Sequence, residues 1–296
     1  GGTDEATPAV RLSGQNARIS DVSVSADRPG IGVTAGGAGI SNVQILGALV
    51  SGVNVSAGGN VALSNVLISG TRRNAAQAAG NGLSVVAGSG ADLAAVALLN
   101  SGGAAVNVSG ASSTVTGLDV IVTDSEAQGA VVSSGGNLEL TRAVFARNSD
   151  SGVIIQGANS TAILNDTYVT GTVAATPGSL SGTAVNISGG GELVAQRFLA
   201  TGNPLGVRVN GGESAITLTD AIIADPSALG PNSAGNAGVG ILAEAGPDIT
   251  ATRLALLRTR GLEAPGRALA RQLDDRVQRG PFAGLQYPRR RGDIVH

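Results

Sequence analysis

Apolar residues in this chain come in short alternating bursts, and the bursts follow one another in a fixed order. Around residue 53 the apolar positions are Val53, Val55, Val61, Leu63, Val66 and Ile68, with mostly small or polar residues between them. A period of two is the mark of a strand with one face buried. Each burst is too short for a helix. A Gly opens the phrase, a turn such as Ala57-Gly58-Gly59-Asn60 follows, and a second short strand runs through Val61 to Leu63. A tight polar turn then leads into a third strand, Val66 to Ile68.

The phrase recurs. Gly30, Gly52, Gly82, Gly103, Gly129, Gly152, Gly182, Gly206 and Gly238 each open one, and an earlier partial turn of the pattern runs from Val10 to Asp27. Three strands in roughly 22 residues, repeated in register, is the plan of a β-solenoid. A β-sandwich also shows short strands at regular intervals, but hairpin signals would then alternate with long connections. The predicted fold class is therefore all-β: a parallel β-helix of about ten coils, with each coil rising ~4.8 Å. The expected organisation is one solenoid over residues 1–262 and a C-terminal cap helix and tail over 263–296.

The repeat has a larger unit. Long connections follow only alternate coils, at Thr71–Asn81, Gly171–Ser181 and Pro226–Ala237, so the unit is a pair of coils. The tight turn before the third strand alternates in the same way. It carries Asp21, Asn65, Asp119, Asp166 and Asp220 in one coil type. In the other it carries Asn42, Arg142, Arg197 and Arg253. Stacking predicts a structural ladder in the order Asp119, Arg142, Asp166, Arg197, Asp220, Arg253, with opposite charges one coil apart. Asn and Asp also tolerate the left-handed conformation of such corners.

The phrase Gly52-Val53-Asn54-Val55-Ser56-Ala57-Gly58-Gly59-Asn60, continued to Gly70, resembles the right-handed β-helix repeat family. The resemblance covers roughly Val10 to Leu262. It implies a right-handed, single-stranded parallel β-helix. That architecture is shared with pectate lyases, polygalacturonases and many bacterial surface proteins, and autotransporter passengers are similar in texture. Such a resemblance specifies architecture far better than function.

Composition fits a narrow core. The chain is 42% hydrophobic but only 2% aromatic, so Ala, Val, Leu and Ile must fill the interior, and 46 Gly residues serve its turns. The formal net charge of −2 gives no field for nucleic acid. Every basic residue is Arg, which rules out a P-loop lysine and Schiff-base chemistry. Absence of Cys rules out thiolate metal sites and disulfides. No run of 18 apolar residues appears, so no membrane span is expected. A start at Gly1, without Met, reads as a processed product or an excised fragment. Beyond Leu262, Leu269, Leu273 and Val277 recur every four residues, with Ala270 beside them. This predicts a short amphipathic helix capping the open end of the solenoid.

Catalytic machinery is sparse. His296 is the only histidine and the last residue, which excludes a Ser–His–Asp triad and a polyhistidine metal site. A pectate-lyase-like mechanism, which the resemblance would suggest, needs an acidic calcium cluster beside an Arg base. The available pieces are Asp124, Glu126, Asp150, Asp225, Arg147 and Arg258, all in coil-terminal turns. Gly238-Val239-Gly240-Ile241-Leu242-Ala243 matches a dinucleotide fingerprint without the helix that should follow it. Arg291-Gly292-Asp293 spells a cell-adhesion tripeptide in a basic tail. No catalytic, cofactor or metal residue is therefore assigned.

The expected function is a non-enzymatic structural or adhesive scaffold, extracellular or on a bacterial cell surface, a location that follows from the resemblance. Its ligand would be a protein or a polysaccharide. Alternatives are a carbohydrate-active enzyme on the same fold and a filament subunit stacking end to end. The long connections are the candidate binding edge, with Arg72, Arg73 and Asn74 in the first, Pro177 and Ser179 in the second, and Pro231 and Asn232 in the third.

Overall fold

In the computed structural model the chain is a parallel β-solenoid. Residues 7–77, 79–175, 181–226 and 238–259 are described, together with the backbone of 262–263. The expected cap helix and tail lie outside the described residues.

Among the described residues ten successive coils stack through two sheets. The first sheet has eleven strands and takes one from each coil in order: Val10–Leu12, Ile31–Thr34, Ser51–Ser56, Asn81–Val86, Val106–Ser109, Ala130–Ser133, Ser151–Gln156, Thr183–Ser188, Leu205–Asn210 and Ile241–Glu244. Leu262–Glu263 then pairs with the tenth and begins an eleventh coil. The second sheet holds the rest of each coil, and all strand pairs are parallel. Second and third strands run together as one ten-residue strand in most coils, such as Gly37–Leu46, Asn60–Ser69 and Asn137–Ala146. A corner residue with positive φ turns the chain between them, here and equally in the coils where the two strands are separate. It is Asn42, Asn65, Ala95, Asp119 and Arg142 in the second to sixth coils.

Alternation along each strand fills one main core, beside which Leu205, Val239 and Leu242 form a small separate cluster. Val53, Val55, Val61, Leu63, Val66 and Ile68 are all at most 2% exposed. The pattern repeats from coil to coil, so one continuous cluster runs along the solenoid. Phe145 and Phe198 are its largest fully buried side chains.

Strand-opening positions form a column of very small residues: Gly30, Gly52, Gly82, Ala105, Gly129, Gly152, Ala184, Gly206 and Gly240. The motif glycines Gly103, Gly182 and Gly238 sit two residues ahead of this column. In the fifth and eighth coils an alanine occupies it instead. The reason for small residues is close approach. A Cβ at Gly152 would lie 2.6 Å from the Ala184 carbonyl oxygen and closer still to Val169 Cγ1. In the eighth coil, Ala184 shares its layer with Ala200, in the column that carries Ile45, Ile68, Phe145, Val169 and Ile223 elsewhere. The smaller residue leaves room for a methyl group in the eighth coil, whereas in the fifth Ala105 sits in the layer of Val122.

Candidate functional site

The corner between second and third strands brings Asp21, Asn42, Asn65, Ala95, Asp119, Arg142, Asp166, Arg197, Asp220 and Arg253 into one column, every residue with φ between 50° and 59°. Side-chain bonds follow the column. Asn42 donates to Asp21 (3.1 Å) and Asn65 donates to Asn42 (2.8 Å). Above Ala95 the bonding becomes ionic and strictly paired. Arg142 grips Asp119 with two bonds of 2.6 Å, and Arg197 grips Asp166 at 2.5 and 2.8 Å. Arg253 grips Asp220 in the same two-pronged way. Each Arg thus reaches back to the preceding coil, and the Asp one coil ahead acts on Arg142 and Arg197 only through the longer-range field. A guanidinium fork suits this planar contact.

The coil-terminal turn makes a second column five residues further on: Gly47, Gly70, Asn100, Asp124, Arg147, Gly171, Gly202, Asp225 and Arg258, again all with positive φ. Here Arg147 grips Asp124 at 2.7 and 2.6 Å, and Arg258 grips Asp225. Four of the six charges that could have served a lyase are therefore paired with one another. Asp150 accepts a bond from Gln128 (2.5 Å). Glu126 contributes its backbone N–H to the Ser101 carbonyl oxygen. The remaining junctions between coils are closed differently. Ser113, Ser160 and Ser214 are buried, and each accepts a bond of 3.1 Å from the preceding coil's turn, at Gly88, Gly135 and Gly190. Ion pairs link coils five to six, seven to eight and nine to ten, while the serines link four to five, six to seven and eight to nine.

Electrostatics agrees with the geometry. The Arg142 guanidinium holds the Asp119 carboxyl below its ordinary range, and Arg147, Arg197, Arg253 and Arg258 do the same to Asp124, Asp166, Asp220 and Asp225. Reciprocally, the hydrogen bond that Arg147 donates to Asp124 raises Arg147 further above its ordinary value. Among the described residues there is no group of three His, Asp or Glu side chains that could hold a metal ion, and no helix long and apolar enough to cross a membrane.

Inside the terminal corner runs a buried polar row: Thr71, Ser101, Ser125, Asn148, Thr172 and Asn203. Thr71 and Thr172 occupy the same coil position, and both root a long connection. Thr71 Oγ1 donates to the Gly80 carbonyl oxygen (2.7 Å) and Thr172 Oγ1 to that of Gly182 (2.9 Å). In the first connection Arg72 is bound to Asp27 (2.5 Å) and to the Gly47 carbonyl oxygen, and Arg73 to the Gly102 carbonyl oxygen (2.5 Å). These two charges therefore tie the connection to the coils on either side. Gln77 donates its backbone N–H to the Asn74 carbonyl oxygen (2.9 Å), closing a turn. Pro177, Ser179, Pro231 and Asn232 lie outside the described residues. Beside the first connection, an open trough crosses the outer face of the first sheet over coils one to four. It is lined by Pro8, Arg11, Asn54, Ala79, Asn81 and Ser84 among others.

No protein-family model matches the chain, and no curated protein matches it. Among solved structures, a trypsin-treated form of QnrB1, a plasmid-mediated fluoroquinolone resistance protein, is similar over 71% of this chain and 84% of that one, at 13% identity and a TM-score of 0.24.

Proposed function

We propose that this chain is a non-enzymatic scaffold that presents a small, polar contact surface, in the setting of a secreted or cell-surface bacterial protein. The observation that carries the reading is the pairing of the ladder charges, in which five Asp carboxylates are each gripped by an Arg of the next coil. A general acid needs a raised carboxyl pKa, and an Arg acting as base needs a lowered one. The ladder carboxyls are shifted down and their guanidinium partners up, because each stabilises the other's charge. Such groups hold coils together and resist proton transfer.

The contact surface is the trough with its bordering connection. Asn54, Asn81, Ser84 and Arg11 offer hydrogen-bonding groups across an open, shallow face, which suits a polysaccharide or an extended protein segment bound weakly and many times over. The test is binding to an array of polysaccharides and matrix proteins by the chain and by an Asn54→Ala/Ser84→Ala variant. Retained folding with lost binding supports the reading. Undiminished binding by the variant refutes this face as the contact surface.

A further inference from the structure

We propose that two copies of this chain pack face to face through the outer surface of the third strands, antiparallel, about a two-fold axis between the seventh and eighth coils. This face is distinct from the trough. It is a strip bounded on one long side by the Asp119–Arg253 column and on the other by the Asp124–Arg258 column. Down its middle runs an apolar row, in which Ile121 is 47%, Leu199 36% and Ile222 41% exposed. Val144 and Tyr168 complete the row between them. Next to it stand small side chains such as Thr123, Ala146, Thr170 and Thr201, so the strip is even enough to seat a second sheet.

Charge says which partner fits. The fifth, sixth, ninth and tenth coils each carry the same sign at both edges of the strip. The fifth has Asp119 and Asp124, the sixth Arg142 and Arg147, the ninth Asp220 and Asp225, and the tenth Arg253 and Arg258. Parallel packing about an axis along the solenoid would set each coil against itself, Asp119 facing Asp124 and Arg142 facing Arg147, and is repelled. Antiparallel packing about an axis through any coil also faces like with like, because it joins coils of the same parity. An axis between two coils joins opposite parities. Placed between the seventh and eighth, it faces every charged coil from five to ten with one of opposite sign. Asp119 meets Arg253, Arg142 meets Asp220, and Asp166 meets Arg197. On the other edge Asp124 meets Arg258 and Arg147 meets Asp225, while the two coils at the axis have Gly171 and Gly202 there. Arg142 and Arg197 spend only Nε and one terminal nitrogen on their own Asp, which leaves donors for the facing carboxylates.

The size suits a reversible dimer. Six coils at ~4.8 Å by five residues at ~3.3 Å give on the order of 500 Å² per copy. That total of about 1,000 Å² is the lower bound for a specific interface.

The full chain should show a monomer–dimer equilibrium by sedimentation across nanomolar to high-micromolar concentration. Ile222→Asp, on a half-exposed outward position facing Val144 of the second copy, should weaken it by about tenfold or more while leaving the β-sheet circular dichroism unchanged. The register is read with cysteines, since the chain has none. Thr123→Cys and Leu257→Cys proteins, mixed, should be joined by a short bismaleimide, and Thr123→Cys alone should not, since its two copies lie about five coils, ~24 Å, apart. A chain that stays monomeric throughout overturns the proposal, as it does if the C-terminal residues or another partner cover the strip. Dimerisation indifferent to Ile222→Asp, or cross-linking of Thr123→Cys with itself, also overturns it.

Discussion

Replacing Gly152 with Ala is a sharp test of how tightly the coils approach. The glycine is fully enclosed, its φ is not in the left-handed region, and Ala is otherwise favoured over Gly in a strand. Taken alone, loss of freedom in the unfolded chain would make the substitution stabilising by about 0.4–1 kcal/mol. The added methyl would, however, press on the Ala184 carbonyl oxygen at 2.6 Å and on Val169 Cγ1. Overpacking of this kind costs about 1–3 kcal/mol, so the net expectation is a loss of up to roughly 2.5 kcal/mol. The assay is urea unfolding followed by circular dichroism, in the wild-type background and in Val169→Ala. The second background mimics the eighth coil, where Ala184 and Ala200 coexist. Gly152→Ala should cost less there, because only the carbonyl contact remains. Equal cost in both backgrounds, or a more stable single variant, would refute the close-approach argument.

Further expectations concern the polar columns. Arg197→Asp sets a third carboxylate between Asp166 and Asp220, and should lower the thermal midpoint most at low ionic strength; an unchanged midpoint at low salt counts against an energetic role for the ladder. Asn203 accepts a bond from the Thr172 N–H (3.0 Å), competes with the Gly182 carbonyl oxygen for the Thr172 hydroxyl proton (2.9 Å), and donates to the Val169 carbonyl oxygen (3.1 Å). Asn203→Ala should therefore cost about 1–3 kcal/mol for each buried group left unpaired; a loss within error in urea unfolding would refute that. The ladder carboxyls are held below the ordinary value of 3.8, so their stabilisation is complete above that value and is lost as pH falls through the lower, folded-state value. Acid titration of the thermal midpoint should show a flat profile at neutral pH and a decline below about pH 4; a decline beginning near pH 6 would point to other groups.

Much of the coil was legible in the sequence because strand period and stacking both leave simple traces. A period of two assigns Val53, Val55, Leu63 and Ile68 to the interior without any knowledge of the register. Asp and Asn at left-handed corners mark the column at Asp119, Asp166 and Asp220, since few other residues tolerate that conformation. Arg at the same corners gains no such backbone preference, and only its spacing reveals it. The landmark glycine misled in three coils. Gly103, Gly182 and Gly238 look like strand openers, but Ala105, Ala184 and Gly240 hold that position, a slip of two residues that preserves which face is inside. The second ladder was harder to see because Gly171 and Gly202 interrupt its alternation. Asp124, Arg147, Asp225 and Arg258 then resemble scattered chemistry until stacking shows them as partners. Buried polar residues such as Asn148 and Asn203 read as turn residues in one dimension. Their burial depends on neighbours more than twenty positions away.

The claim that these corner charges bind coils rather than substrates is tested most directly by one paired measurement. Wild type and an Asp124→Asn/Arg147→Gln variant would be incubated with a panel of acidic and neutral polysaccharides in calcium, with product release and thermal midpoint followed for both. The account predicts no product from either protein and a lowered midpoint for the variant. Product released by the wild type and lost in the variant, with the midpoint unmoved, would contradict it.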